Sequence, residues 1–391
     1  MNQRFYSLDV FRGATVAFMI LVNNPGSWQH IYQPLEHAPW HGCTPTDLVF
    51  PFFLFAVGNA MAFVMPKMEA AGQTVFLQKV FRRTLLIFAI GLFLNWSPFI
   101  GWSNDHLQFR HWTDPTDPTK GIRILGVLQR IAICYCFASL IIYYLKPAGA
   151  FVAAGSLLLL YWMACLLGNP ADPFSISGWF GTAIDKAILD IPHMYKGEGI
   201  PFDPEGIMST FPAIAGVIFG YLTGRYIRES GKSFETCTRL FVVAGVLIFT
   251  GFCWHMVFPI NKKIWTSSFV LYTSGLAIFI LSTLIYLIEI RAAGAKNAIT
   301  RFFDVFGKNP LFIFFLSGFL PRLLGLARWT DHFNENGKPV YTNAFAALYD
   351  HVFKLIPGNP NNGSVLYAIF IVCFYWMIAR ILDQKKIYIR V

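Results

Sequence analysis

Ten apolar stretches run through the sequence, and each approaches the ~20 residues that a helix needs to cross a ~30 Å hydrocarbon layer. They cover residues 7–23, 44–65, 80–96, 122–145, 151–167, 210–227, 240–258, 265–288, 302–324 and 365–382. Because lipid cannot pair backbone N–H and C=O groups, stretches of this length predict helices. We therefore predict an all-α, polytopic membrane bundle of about ten transmembrane helices, with a short interfacial or re-entrant helix over residues 343–355.

Composition supports one membrane domain over residues 1–391. Hydrophobic residues make up 55% of the chain and charged residues 13%, against roughly 25% charged in a soluble domain. The net charge of +10 does not indicate nucleic-acid binding, because Lys and Arg lie mostly at the ends of apolar stretches, where lipid and topology explain them. Most of the seven cysteines fall inside those stretches, so the sequence predicts no disulfide framework and no zinc spacing.

Basic residues predict the orientation of the bundle. They cluster after the second, sixth and eighth stretches, and cytoplasmic loops carry the excess of Lys and Arg. Ten spans then place both termini in the cytoplasm and put the loops that hold His37, Asp203 and Glu205 on the opposite face. A cleavable signal peptide is not expected, because Asp9 and Arg12 interrupt the first apolar stretch.

The segment between the first two spans carries dense polar chemistry. An imidazole at a membrane surface can take a proton from a nucleophile near neutral pH, so His37 is a candidate general base; the alternative is an ordinary surface histidine. Thr44 and Asp47 have the spacing of N-cap and N3, so Asp47 either caps the second helix or joins the chemistry. Zinc held by His30, His37 and His41 would lack acidic partners beyond a neighbouring glutamate, and we predict no metal.

Charges inside the spans need partners. Asp9 and Arg12 are three residues apart and predict an ion pair on one helix face. Arg130 lies about a third of the way into the fourth span, where an unpaired charge costs ~3 kcal/mol or more. Its partner is Asp9, Asp47, or a phosphate or carboxylate of a ligand, and spacing does not rank them.

Small residues also recur on the sixth span. Gly216, Gly220 and Gly224 repeat every fourth residue and predict close packing of another helix, with a homodimer contact as one alternative.

Eight motifs occur in order along nearly the whole chain. They are SLDVFRG at 7–13, VN at 22–23, HAPW at 37–40, DLVFPFF at 47–53, GVLQR at 126–130, DPEG at 203–206, PINK at 259–262 and GKNP at 307–310. Together they resemble the heparan-alpha-glucosaminide N-acetyltransferase family, including its bacterial NagX-type members. The resemblance implies a transmembrane acyltransferase that moves acetyl from cytosolic acetyl-CoA to the amine of a terminal glucosamine on the opposite side.

The same resemblance implies an active histidine at His37, with Asn23 beside the acetyl group. An amine attacks a thioester when unprotonated, so His37 can act as general base while Asn23 or Asn24 donates to the oxyanion. In a ping-pong route His37 would instead carry the acetyl group itself. The expected catalytic set is His37, Asn23 and Asp47.

Binding residues follow from charge and from the family motifs. The expected acetyl-CoA contacts are Arg82, Arg83, Arg130, Arg239, Lys308 and Asn309. The expected acceptor contacts are Asn24, Trp40, Asp203, Glu205, Asn261 and Lys262, the two acidic residues attracting the ammonium of the sugar. We expect a bacterial inner membrane location and an acceptor that is a free amino sugar, a glycan end or an envelope polymer. The rival class is an amino-sugar transporter, although the sequence has no evident inverted repeat.

Overall fold

The computed structural model describes residues 5–103, 105–291 and 297–389 and is mostly helical. Its α-helices are α1 (Tyr6–Asn23), α2 (Val49–Ala70), α3 (Gln73–Trp96), α4 (Val127–Gly168), α5 (Gly181–Leu189), α6 (Ile207–Ser230), α7 (Phe234–His255), α8 (Ser267–Ile285), α9 (Ala298–Lys308), α10 (Pro310–Leu324), α11 (Ala344–Leu348) and α12 (Pro360–Gln384). Two antiparallel hairpins pair β1 (Ile100–Ser103) with β2 (His106–Phe109) and β3 (Arg328–Phe333) with β4 (Pro339–Asn343).

Within the described ranges, six helices are long and apolar enough to cross a membrane, and the bent pair α9 and α10 would make a seventh. The predicted helical class is confirmed, whereas the count of about ten spans stays a prediction.

One difference between the predicted stretches and the observed helices has a clear cause. The 42-residue α4 covers two predicted stretches, and its backbone breaks between them at Lys146, where φ is 59° and ψ is 174°. Pro147 follows, and a proline disfavours helical geometry in the residue before it.

The pair α9 and α10 is bent by 79°. Asn309 lies at the bend and is fully buried. Its Nδ2 donates to the carbonyl of Ile387 at 2.9 Å, and its Oδ1 accepts the N–H of Ile389 at 2.8 Å. The amide therefore ties the C-terminal segment to the bend, and a cofactor contact at Asn309 stays a prediction.

A short helical segment lies within the predicted range 343–355. It consists of α11 and a following π-helical turn, Tyr349–Phe353. Asn343 caps it by accepting the N–H groups of Phe345 and Ala346. Its interfacial or re-entrant placement stays a prediction.

Glycines let α2 and α6 pack backbone against backbone. A Cβ built on Gly220 would overlap the carbonyl oxygen of Phe55, and one on Gly58 would overlap that of Val217. A Cβ on Gly224 would lie 2.7 Å from the carbonyl oxygen of Asn59. Gly220 and Gly224 therefore pack closely against another helix, as their spacing predicts, and a homodimer contact stays a prediction.

The predicted ion pair in α1 is present. Arg12 Nη1 lies 3.3 Å from Asp9 Oδ1 and 3.3 Å from the carbonyl oxygen of Gly307. Arg12 therefore links α1 to the end of α9.

A methyl group added at Gly220 should separate α2 from α6. Gly220→Ala should lower the melting temperature in detergent by an amount equivalent to about 1–3 kcal/mol, because the Phe55 carbonyl has no room to move. Gly216→Ala is the matched control on the same helix, since its nearest neighbour would be a Val270 methyl at 4.0 Å. Equal melting temperatures for the two variants would contradict the close contact.

Candidate active site

The loop between α1 and α2 brings His37 against Asp47. Residues Pro45–Leu48 form a 3₁₀ turn at the start of α2, with Thr44 as N-cap. His37 Nδ1 lies 2.7 Å from Asp47 Oδ1. Asp47 Oδ2 accepts the N–H groups of Ala38 and Thr44, each at 3.0 Å. Asp47 therefore makes two kinds of contact, because one oxygen caps the helix and the other holds the histidine.

This pairing defines the proton positions on the imidazole. A carboxylate only accepts hydrogen bonds, so Nδ1 of His37 carries the hydrogen and Nε2 keeps a free lone pair. The Asp47 side chain is 1% exposed and that of His37 is 46% exposed. The arrangement can therefore present a proton-accepting nitrogen to solvent from a buried anionic support.

Lys262 reaches the same pair from the loop between α7 and α8. Its Nζ lies 3.1 Å and 3.4 Å from Nδ1 and Nε2 of His37, and 3.5 Å from Asp47 Oδ1. Burial lowers the pKa of Lys262, and the charges of Asp47 and Glu205 oppose that shift in part. The sequence predicted that Lys262 contacts the acceptor, which stays a prediction. The structure shows that its amine contacts His37.

A turn built by Asn261 positions Lys262. Asn261 is fully buried, its Oδ1 accepts the N–H of Ile264 at 3.0 Å, and its own N–H donates to Thr266 Oγ1 at 3.0 Å. Its Nδ2 lies 3.4 Å from His41 Nδ1. Asn261 therefore stabilises the turn, and its contact with the acceptor stays a prediction. Burial and the nearby charge of His255 lower the pKa of His41.

The acidic motif 203–206 forms a buried ion cluster with Arg123. Arg123 contacts Asp203 through Nη2 at 2.5 Å and Nε at 3.1 Å, and it also pairs with Glu205. Asp203 is fully buried and accepts the N–H groups of Tyr195 and Glu205 as well. Both of its carboxylate oxygens thus have partners within the protein, and its attraction of a sugar ammonium stays a prediction. Although burial raises the pKa of Glu205, the positive charges of Arg123 and Arg130 outweigh it and hold that pKa below its usual value.

Arg130 lies in the first turn of α4 and is 1% exposed. Its Nη2 donates to the carbonyls of Pro204 at 2.7 Å and Gly206 at 3.2 Å, and to the hydroxyl of Ser209. Its guanidinium lies 5.0 Å from the centre of the Trp265 ring. Among the described residues its partners are therefore these groups, which replaces the expected counter-ions Asp9 and Asp47. A ligand contact at Arg130 stays a prediction.

Three of the other four predicted cofactor cations have local partners. Arg83 lies 4.8 Å from the centre of the Tyr135 ring, and Arg82 is exposed on the same helix. Arg239 pairs with Glu235 at 2.5 Å on α7. Lys308 pairs with Asp304 at 2.8 Å and Asp383 at 3.0 Å. Three separate helices carry these cations, so a shared phosphate site stays a prediction.

Three further expected site residues lie at the ends of elements. Asn23 is the last residue of α1 and is exposed, whereas Asn24 Nδ2 donates back to the carbonyl of Ile20 at 2.8 Å. Trp40 Nε1 donates to the carbonyl of Phe174 at 2.8 Å. Of the two asparagines, Asn23 is therefore the better candidate to face a ligand.

Sequence reasoning missed Asp185. This carboxyl lies on α5, is fully buried, and accepts the N–H of Ile207 at 2.8 Å through Oδ1. Burial raises its pKa to about 6. An isolated aspartate on a short helix carries no pattern that distinguishes a buried carboxyl from a solvated one. Across the described residues, no group of three or more His, Cys, Asp or Glu is arranged to hold a metal ion.

The sequence matches no known protein-family model. It is 26% identical over 343 residues to heparan-alpha-glucosaminide N-acetyltransferase of Homo sapiens, a match that covers 74% of this chain and 49% of the human protein. It is 24% identical over 344 residues to the Mus musculus protein of the same name, covering 74% of this chain and 50% of the mouse protein. The chain thus spans about half the length of these curated relatives. The family resemblance drawn from the motifs is confirmed.

The raised pKa of Asp185 gives stability a defined pH dependence. The folded state binds this proton more tightly than the unfolded state, so the contribution to stability is full below about pH 4 and is lost as pH rises through about 6. The loss amounts to about 3 kcal/mol. The melting temperature of Asp185→Asn, relative to the natural protein, should therefore rise between pH 4 and 6 and level off above. A difference that stays constant from pH 4 to 8 would contradict this account.

Proposed function

We propose, from the premise that this chain is a relative of the heparan-alpha-glucosaminide N-acetyltransferases, that it is a transmembrane acetyltransferase. It takes acetyl from acetyl-CoA on the cytoplasmic side and transfers it to the amine of glucosamine or a related amino sugar on the opposite side. The observation that carries the proposal is the 2.7 Å contact between His37 and a buried Asp47, with Nε2 left to accept a proton. A bacterial inner membrane, with both termini cytoplasmic, is part of the proposal.

In the direct route the acceptor amine attacks the thioester carbonyl carbon. A C–N bond forms, the C–S bond breaks, and His37 Nε2 takes the proton that the nitrogen loses. The imidazolium then returns that proton to the CoA thiolate, so the products are the amide and CoA with its thiol. His37 ends the cycle neutral, as it began.

Asp47 and Lys262 have opposite effects on the positive charge that His37 gains in this cycle. Asp47 stabilises the positive charge that the imidazole gains, because its carboxylate lies 2.7 Å away in a buried setting. Lys262, when protonated, disfavours that charge and can instead donate toward the developing oxyanion. Asn23 is a second oxyanion donor at the end of α1.

A ping-pong route would use the same residues. His37 Nε2 would attack the thioester, CoA would leave as thiolate and take a proton, and the acetyl-imidazole would then acylate the amine. Detection of acetyl on His37 before any sugar is added would favour this route over the direct one.

Acetyl-CoA is a co-substrate in either route. Arg82, Arg83, Arg239 and Lys308 are the cations proposed for its phosphates. Arg130 is proposed to act nearer the site of transfer. The acceptor is proposed to approach past Trp40 and Glu205.

A transporter is the second candidate function. The 79° bend between α9 and α10 and the buried Arg130 favour it, since broken helices and buried charges accompany substrate paths in transporters. Sealed vesicles that accumulate glucosamine without acetylating it would establish the transporter and overturn the enzyme.

Removing the His37 imidazole should abolish transfer. His37→Ala in lipid nanodiscs, supplied with labelled acetyl-CoA and glucosamine, should lose roughly 10²–10⁴-fold in rate of labelled N-acetylglucosamine formation. His30→Ala is the matched control in the same loop and should keep the natural rate. Full transfer by a folded His37→Ala protein would overturn the assignment.

Asp47→Asn should separate the two roles of the carboxylate. The amide keeps one cap acceptor but loses the charge that supports the imidazolium, so the transfer rate should fall roughly 10²-fold or more. Thr44→Ala weakens the same cap without touching the contact with His37, and should lower the melting temperature by a similar amount. If both variants lose transfer equally, Asp47 is structural.

A further inference from the structure

One amine already occupies the position where an acceptor amine would have to stand. Lys262 Nζ lies 3.4 Å from His37 Nε2, the nitrogen left free by Asp47, and 3.1 Å from Nδ1. An amine within hydrogen-bond reach of a base can lose its proton to that base as it attacks. We infer that Lys262 is a self-acetylation site: without an acceptor, the enzyme transfers the acetyl group to its own Lys262 Nζ. This inference rests on the proposed function.

The step balances without any further reactant. The neutral Lys262 amine attacks the carbonyl carbon of the thioester, a C–N bond forms and the C–S bond breaks. His37 takes the proton lost by the nitrogen and returns it to the CoA thiolate. If acetyl first rests on His37, the same amine attacks the acetyl-imidazole and releases the neutral ring. Both routes end in N-acetyl-lysine and CoA.

The surroundings of Lys262 favour its neutral form. Burial lowers the pKa of the amine, and the carboxylates of Asp47 and Glu205 oppose that effect in part. The Lys262 side chain is 21% exposed, so most of it is shielded from bulk water. A desolvated lysine beside a base is a typical arrangement for a nucleophilic amine.

The adjacent lysine provides an internal comparison. Lys263 Nζ donates to Glu198 at 2.5 Å and to the carbonyl of Pro39 at 2.8 Å, and its side chain is 19% exposed. The two lysines are therefore adjacent in the chain and similarly exposed, but Lys263 contacts a glutamate and a backbone carbonyl and not the histidine. Contact with His37 is what distinguishes Lys262.

Acetylation of Lys262 would have a direct effect on turnover. The amide is neutral, cannot be deacylated by an attacking amine under these conditions, and adds a bulky group beside His37 Nε2. The modified enzyme should be inactive. An acceptor sugar that occupies the site should prevent the modification by taking the acetyl group first.

The test uses the full chain in nanodiscs with deuterated acetyl-CoA and no sugar, followed by peptide mass spectrometry. The label should appear at Lys262 at least tenfold faster than at Lys263. Glucosamine should suppress it, and His37→Ala should reduce it to the Lys263 level. Equal labelling of both lysines, or labelling of Lys262 that persists in His37→Ala, would overturn the inference.

A second measurement does not depend on labelling. Preincubation with acetyl-CoA alone should cause a time-dependent loss of subsequent glucosamine acetylation in the natural protein. Lys262→Arg should show no such loss relative to its own starting rate, because arginine does not accept acetyl. Sustained activity of the natural protein would overturn self-acetylation while leaving the proposed function intact. Label on Lys262 without any labelled sugar would instead overturn the proposal that glucosamine is the acceptor and would support self-acetylation.

Discussion

The two oxygens of Asp47 support the whole site. Oδ2 accepts backbone N–H groups that the start of α2 would otherwise leave unpaired, and Oδ1 holds His37. Because the same carboxylate begins the helix and orients the imidazole, it ties the middle of the loop between α1 and α2 to the start of α2. A membrane helix needs such a cap at its end, and here the cap also supplies the charge beside the base.

Around this pair, charges of both signs are arranged at short distances. Lys262 contacts the histidine and the aspartate, Arg123 forms ion pairs with both Asp203 and Glu205, and Arg130 donates to carbonyls before α6. A buried charge without such a partner would be costly, so each carboxylate in the acidic motif is matched by a cation. The site is therefore an electrostatic assembly in which few groups are available to a ligand.

Local sequence signals predicted the parts of this arrangement that depend on neighbours in the chain. The cap at Thr44 and the Asp9 and Arg12 pair follow from spacing, and both are present. Contacts between segments that are far apart in the chain could not be predicted from spacing. Asp203 was expected to face a substrate, yet Arg123, 80 residues away, occupies it. Asn309 and Asn261 looked like ligand contacts because polar groups in apolar sequence suggest function, but their amides satisfy backbone groups of a bend and a turn. Spacing did not single out Asp185 either, since its pKa is raised by burial in the fold and by the charge of Asp203.

The glycine contact between α2 and α6 also limits how the molecule can move. α2 begins at the turn that holds Asp47, and α6 begins just after the carbonyls that hold Arg130. With their backbones in contact at Gly58 and Gly220, these two helices cannot slide or rotate past one another without steric overlap. The two helices therefore form a rigid pair that holds Asp47 and the carbonyls around Arg130 at fixed positions relative to each other. Any larger relative movement within the bundle must then come from the remaining helices, with the broken α4 and the bent α9 and α10 as the natural hinges.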